Sequence, residues 1–237
     1  MKLLLFSFFL ALLLTAAPGG AFGANPNNNQ DADSQLWSEG LLVYKLDHKF
    51  DIFASGAYRL TQDFSEFTRV SSRVGGTWQA TPALSITPSY LYAVDNPWTA
   101  APAPENRLCL LTAYNIPVKT ATLTLANTTE YRMPENGPDG FRLRPRVRIQ
   151  NPVGPAKWGL DAFVSDELFY DNSRGVFTQD RVFAGFQEKF NETFTTSLYY
   201  CRRVRMNSTT SDANIICIDF KITFGRKGAG PDEPDFR

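Results

Sequence analysis

The chain has 237 residues with 24 basic and 24 acidic side chains, so its formal net charge is zero, which excludes whole-protein attraction to nucleic acid or to an acidic partner. One histidine and three cysteines, without metal-ligand spacing, leave a zinc site unsupported and point to no cofactor, while calcium on loop carboxylates is open but unmarked by any motif. The mean hydropathy is -0.25, and beyond the amino end no run approaches the roughly 18 apolar residues of a membrane helix, so any span must be made of strands.

Met1-Lys2 followed by the apolar run Leu3 to Leu14 and by Ala21-Phe22-Gly23 reads as a signal peptide over residues 1–23, cleaved after Gly23 or close to it. Residues 24–34 are read as a disordered lead-in, residues 35–224 as one β-domain, and residues 225–237, rich in Gly, Pro and charge, as a disordered tail.

Period-two alternation then recurs along the chain. The predicted strands are Gln35–Leu46, Phe50–Thr61, Phe67–Ala80, Leu84–Val94, Glu105–Ile116, Thr120–Arg132, Phe141–Gln150, Lys157–Asp171, Asp180–Phe190, Thr193–Met206 and Ala213–Phe224. Runs of about 10 to 14 residues suit tilted strands crossing a bilayer, whereas globular strands are commonly about 5 or 6. Tight connections such as Asp47-His48-Lys49 and Asn191-Glu192 alternate with longer ones: Asp95 to Pro104, Met133 to Gly140, Asn172 to Gln179 and Asn207 to Asp212. The predicted fold is therefore all-β, an antiparallel up-and-down transmembrane β-barrel of about ten to twelve strands, with turns at one rim and loops at the other. A count of about eleven puts the amino end at the loop rim, against the even number of bacterial single-chain barrels.

Phe141 to Gln150 shows the two faces most clearly: Phe141, Leu143, Pro145, Val147 and Ile149 alternate with Arg142, Arg144, Arg146, Arg148 and Gln150. In a sandwich the apolar face is the core; in a membrane barrel it meets lipid and the arginines line the lumen. By the same alternation Arg69, Arg73, Glu105, Arg107, Glu130, Arg132, Asp161, Glu167, Asp219 and Lys221 are expected to face inward, with Glu39 and Arg203 beside them. Asp161, Ser165 and Glu167 share a face with Phe163 while Asp166 falls on the other, and a β-bulge is expected to repair that register. Ionised groups in a narrow lumen must be paired or wet, so this set is either a salt-bridge plug or the lining of an anion-preferring pore.

If the last hairpin turns symmetrically about Thr209, Cys201 and Cys217 lie opposite one another and an oxidising compartment permits a disulfide, leaving Cys109 unpaired; two buried thiols are the alternative. His48, in a tight turn, is read as a solvated residue rather than as the base of a hydrolase. The sequons at Asn127, Asn191 and Asn207 are read as chance.

Asp33-Ser34-Gln35-Leu36-Trp37, Glu105-Asn106-Arg107-Leu108, Phe141-Arg142-Leu143-Arg144-Pro145-Arg146, Asp166-Glu167-Leu168-Phe169-Tyr170 and Asp180-Arg181-Val182-Phe183-Ala184-Gly185 resemble, in that order, a bacterial domain-of-unknown-function family of exported outer-membrane β-barrels. The similarity spans about residues 33 to 224 and implies the barrel architecture without a reaction or ligand. The tail beyond Phe224 departs from outer-membrane strands that end the chain on an aromatic. The expected role is a non-enzymatic outer-membrane barrel, structural or a small-solute pore, whose partners are outer-membrane lipid and the barrel-assembly machinery. The alternatives are a lipid-modifying enzyme of the outer leaflet and a secreted lipocalin-like binder.

Overall fold

A computed structural model describes residues 32–99, 101–206 and 212–225. The expected signal peptide and the carboxy-terminal tail fall outside the described residues, as does most of the expected lead-in. The strands are β1 (Asp33–Lys45), β2 (Phe50–Thr61), β3 (Glu66–Gln79), β4 (Leu84–Asp95), β5 (Ala103–Val118), β6 (Ala121–Pro134), β7 (Gly140–Pro152), β8 (Leu160–Asp171), β9 (Val176–Lys189), β10 (Phe194–Arg205) and β11 (Ala213–Gly225), with a short 3-10 turn at Ala156–Trp158. Each strand pairs with its sequence neighbours, and β1 pairs with β11 to close the barrel.

The closing pair is parallel, Asp33 facing Ala213 and Lys45 facing Gly225. An odd number of up-and-down strands requires this, because the first and last then run the same way. The expectation of an all-antiparallel wall is corrected at that one seam. The start of β1 lies at one rim and the end of β11 at the other.

The rims also differ less than the sequence suggests. Residues 172–175 form a tight turn, because β9 begins at Val176 rather than Asp180, and 62–65 is equally short, with Gln62, Asp63 and Phe64 all at positive φ. Lys157 and Trp158, expected in a strand, belong to the 3-10 turn on the opposite rim. There Asp47 Oδ1 accepts the N–H groups of Lys49 at 2.6 Å and Phe50 at 2.9 Å, and Asn191 Oδ1 accepts those of Thr193 and Phe194, both at 2.8 Å. These side-chain acceptors close the reversals. The two N–H groups hold the Asp47 carboxyl below its ordinary range.

The polarity of the wall is inverted relative to a soluble domain. Glu105, Arg107, Glu130, Arg144, Arg146, Arg148, Glu167, Arg181, Arg203 and Asp219 are buried, whereas Val74 is 54% exposed and Ile149 and Val164 are 55% and 57% exposed. Aromatic rings gather toward both rims of the outer face. At one rim Phe50 stacks on Trp78 and Tyr44 meets Phe224; at the other Tyr58 stacks on Phe67, which meets Trp98 edge-on at 4.4 Å, and Tyr131 packs on Phe141. Aliphatic side chains such as Val74, Leu110, Leu125 and Val147 occupy the band between them.

Two features depart from the expected wall. The bulge between β8 and β9 lies at Phe169/Tyr170, beyond Asp166, so it does not turn that residue inward. Asp166 stays on the outer face, diagonal to Asp180. Inside, the lumen is only partly polar: Phe163, Phe183, Tyr199, Cys201, Ile215 and Cys217 form an apolar cluster against which Trp37 packs. Gly185 makes room for it, since a Cβ there would meet Tyr199 and the Leu198 carbonyl.

Of the two readings of Cys201 and Cys217, the two buried thiols hold and the disulfide does not. Cys201 faces Ile215 and Cys217 faces Tyr199, so the register is offset from symmetry about Thr209, and all three cysteines are buried with no disulfide joining them. Two inward residues that do not share a rung pack as small apolar groups.

Candidate functional site: an ion-pair ladder in the lumen

Alternation on β3 to β9 aims charged side chains of both signs at the barrel axis, and the rungs of the sheet set their neighbours. Asp95 Oδ1 accepts from Arg69 Nη1 at 2.8 Å, and Arg69 Nη2 lies 3.7 Å from Glu105. Glu105 is also bonded to Arg107 and, at 2.5 Å, to Arg132 Nε. Arg107 reaches Glu130 at 3.8 Å. Glu130 accepts from Arg142 Nε at 2.8 Å and from Arg144 Nη1 at 2.6 Å. Arg144 then donates to Glu167 Oε1 at 2.8 Å, and Glu167 Oε2 lies 3.9 Å from Arg181.

The result is one file of alternating sign, Asp95, Arg69, Glu105, Arg107, Glu130, Arg144, Glu167, Arg181, running from strand to strand around the inner wall. Arg132 and Arg142 are attached as side branches. Glu130 and Glu167 are each 1% exposed. Carboxylates so placed are tolerable only because each is contacted by more than one guanidinium, whose planar fork can serve two acceptors at once.

Aromatic rings pack against the ladder. Phe169 lies under the guanidiniums of Arg144 at 4.7 Å and Arg181 at 4.4 Å, and Phe163 lies under Arg148 at 3.9 Å. Each stack places a cation on the negative face of a ring. Beside the ladder and its rings lies a cup of about 750 Å³ that reaches the rim where β1 begins.

Of the residues expected in the lumen, Arg69, Glu105, Arg107, Glu130, Arg132, Arg142, Arg144 and Glu167 are joined directly. Arg146 stands opposite Glu167 in the β7–β8 register. Asp161 accepts instead from Gln150 Nε2 at 3.0 Å, and Asp219 from the backbone N–H of Glu39 at 2.7 Å. Arg73, Arg148 and Lys221 share the inward faces of their strands with these groups. Sequence reasoning missed Arg59, Asp95 and Arg181 as lumen groups. The inward parity of Arg181 follows from Asp180-Arg181-Val182-Phe183, but Phe183 is apolar and also points inward, which hides the pattern.

His48 is exposed in the β1–β2 turn, at the rim opposite the cup. Among the described residues no group of His, Cys, Asp and Glu is arranged to hold a metal ion, and the ladder carboxylates are already engaged by arginine.

The model of a family described as a protein of unknown function (DUF2490) matches residues 34–214. The chain belongs to that family. No curated protein matches it. The matched span holds Trp37 and every residue of the ladder. The short stretches that first suggested a resemblance carry much of it: Trp37 on β1, Glu105 and Arg107 on β5, Arg142 and Arg144 on β7, Glu167 on β8 and Arg181 on β9.

Proposed function

We propose that this member of the DUF2490 family is an exported bacterial outer-membrane barrel, non-enzymatic, whose lumen is closed at mid-height by the ladder and its rings. The observation that carries this reading is the inverted wall: ionised side chains buried inside, exposed aliphatics outside, and aromatic rings gathered at both rims. A water-facing exterior gains nothing from such a band, whereas in a bilayer it faces hydrocarbon and the rings sit at the interfaces. Lipid is then the partner of the outer face, and the barrel-assembly machinery inserts the closed sheet. The cup opens toward the outside of the cell if its rim, which carries the longer connections 96–102 and 135–139, is the extracellular one.

Closure favours a structural or ligand-binding barrel over a diffusion pore. Eleven strands lie between the side-chain-filled eight-stranded barrels and the open channels of 16 to 18 strands. In planar-bilayer recordings the purified protein is expected to give no current steps beyond detergent controls. Regular steps with anion selectivity would show that the ladder lines a pore rather than plugging one.

A further inference from the structure

The ladder goes only part of the way round the barrel. It runs from β3 to β9 and ends on a cation, Arg181; the strands that complete the circle bring Arg203, Trp37 and Arg59 into the cup. The rungs there set like charges side by side: Arg59 faces Arg69, and Arg181 faces Arg203. Directly opposed like charges destabilise a sheet unless something of opposite sign lies between them. Arg69 has Asp95 and Glu105. Among the described residues Arg181 pairs with one carboxylate, Glu167, at 3.9 Å, which Arg144 holds more closely, and its Nη2 lies 2.9 Å from the Gln179 amide.

Arg59 and Arg203 make no ion pair among the described residues. Arg203 is 8% exposed, and its Nε is buried without a hydrogen-bond partner. The Arg59 guanidinium lies 3.9 Å from the centre of the Trp37 ring and that of Arg181 4.8 Å from it, so one indole gathers two cations at the cup wall. Carboxylates do reach the cup, but Asp95 is bonded to Arg69, Asp219 accepts from the Glu39 backbone and Asp33 from the Gln35 amide and the Asp63 N–H. A buried guanidinium without a counter-charge is costly. An anion seated between Arg59, Arg181 and Arg203 would remove that cost and carry the alternation on toward Arg69.

We propose that the cup binds a small oxyanion with two or more negative charges, its oxygens taken by the forks of Arg59, Arg181 and Arg203 beside Trp37. Guanidinium forks match phosphate and carboxylate oxygens in pairs, and the volume falls in the range of small-molecule sites. The inference deepens the closed-lumen reading and rests on it, because an open channel would leave these arginines to bulk water.

Titration of the refolded full-length barrel with inorganic pyrophosphate at low salt, followed by calorimetry and by Trp37 emission, tests it. Binding at about 1 mM or tighter is expected, weakened at least tenfold in the double variant Arg59→Gln/Arg203→Gln. Without ligand, Arg203→Gln alone is expected to keep or raise the melting temperature, since it removes an unpaired buried cation. Pyrophosphate is expected to raise the melting temperature of the native chain and not that of the double variant. Arg203→Lys, which keeps the charge and loses the fork, is expected to bind several-fold more weakly. Absence of binding at about 10 mM pyrophosphate, or equal binding by the native chain and the double variant, would overturn the proposal. Heat-modifiable gel migration reports the closed barrel separately, so binding lost with the barrel intact counts against the site alone.

Discussion

Replacing Glu130 with glutamine is expected to destabilise the barrel by about 3–5 kcal/mol, the range for removing one partner of a buried charged group. Glu130 is 1% exposed and holds Arg142 and Arg144 directly, with Arg107 3.8 Å away, so its loss leaves Arg142 without a carboxylate and Arg107 and Arg144 with one each, on Glu105 and Glu167. The readout is the urea midpoint of the refolded barrel in micelles. Arg142 has no other carboxylate partner among the described residues, so the double variant Glu130→Gln/Arg142→Gln should recover part of the loss, a coupling that a double-mutant cycle measures. If the lumen were a wide wet channel, each of these pairs would behave as an exposed one worth about 0.2–1 kcal/mol, and Glu130→Gln would fall in that range.

The outer wall supplies the second large effect. Val74 and Val147 stand mid-strand with their side chains outward, in the aliphatic band between the aromatic rims. Arginine at either position is expected to cost about 2–4 kcal/mol in a bilayer, because a charge at the midplane must leave water or drag it in. In a water-soluble barrel the same substitutions would lie within about 0.5 kcal/mol of neutral, as surface changes do. Unfolding titrations in lipid vesicles distinguish the two.

Much of this architecture is readable from alternation. On β6 the aliphatic and aromatic side chains Leu123, Leu125 and Tyr131 alternate with polar ones, so the inward set of Thr122, Thr124, Glu130 and Arg132 follows without coordinates. The arginine file of β7 is equally plain. Reading fails where the lumen is itself aromatic: on β8, β9 and β10, Phe163, Phe169, Phe183 and Tyr199 point inward to stack on guanidiniums or pack around Trp37, so both faces look apolar and hydrophobicity no longer tells inside from outside. Arg59 was missed for the same reason, since β2 carries Ile52, Phe53 and Ala54 in succession. Between a disulfide and two buried thiols at Cys201 and Cys217 the choice turns on register, which a hairpin fixes through its turn and which spacing alone does not determine. Asp166 resists the pattern because it belongs outside, beside Asp180, on a face that also carries Arg202 and Asn214.

Collisional quenching by acyl-chain-brominated lipid tests the inverted wall most directly. Trp78 and Trp98 stand exposed on the outer face toward opposite rims, while Trp37 faces the lumen between two arginines. The refolded protein in brominated vesicles should lose most of its tryptophan emission, and replacing Trp78 and Trp98 with phenylalanine should abolish most of that quenching. A protein that stays in the aqueous phase, or whose emission ignores the bromine, would contradict a barrel turned apolar side out.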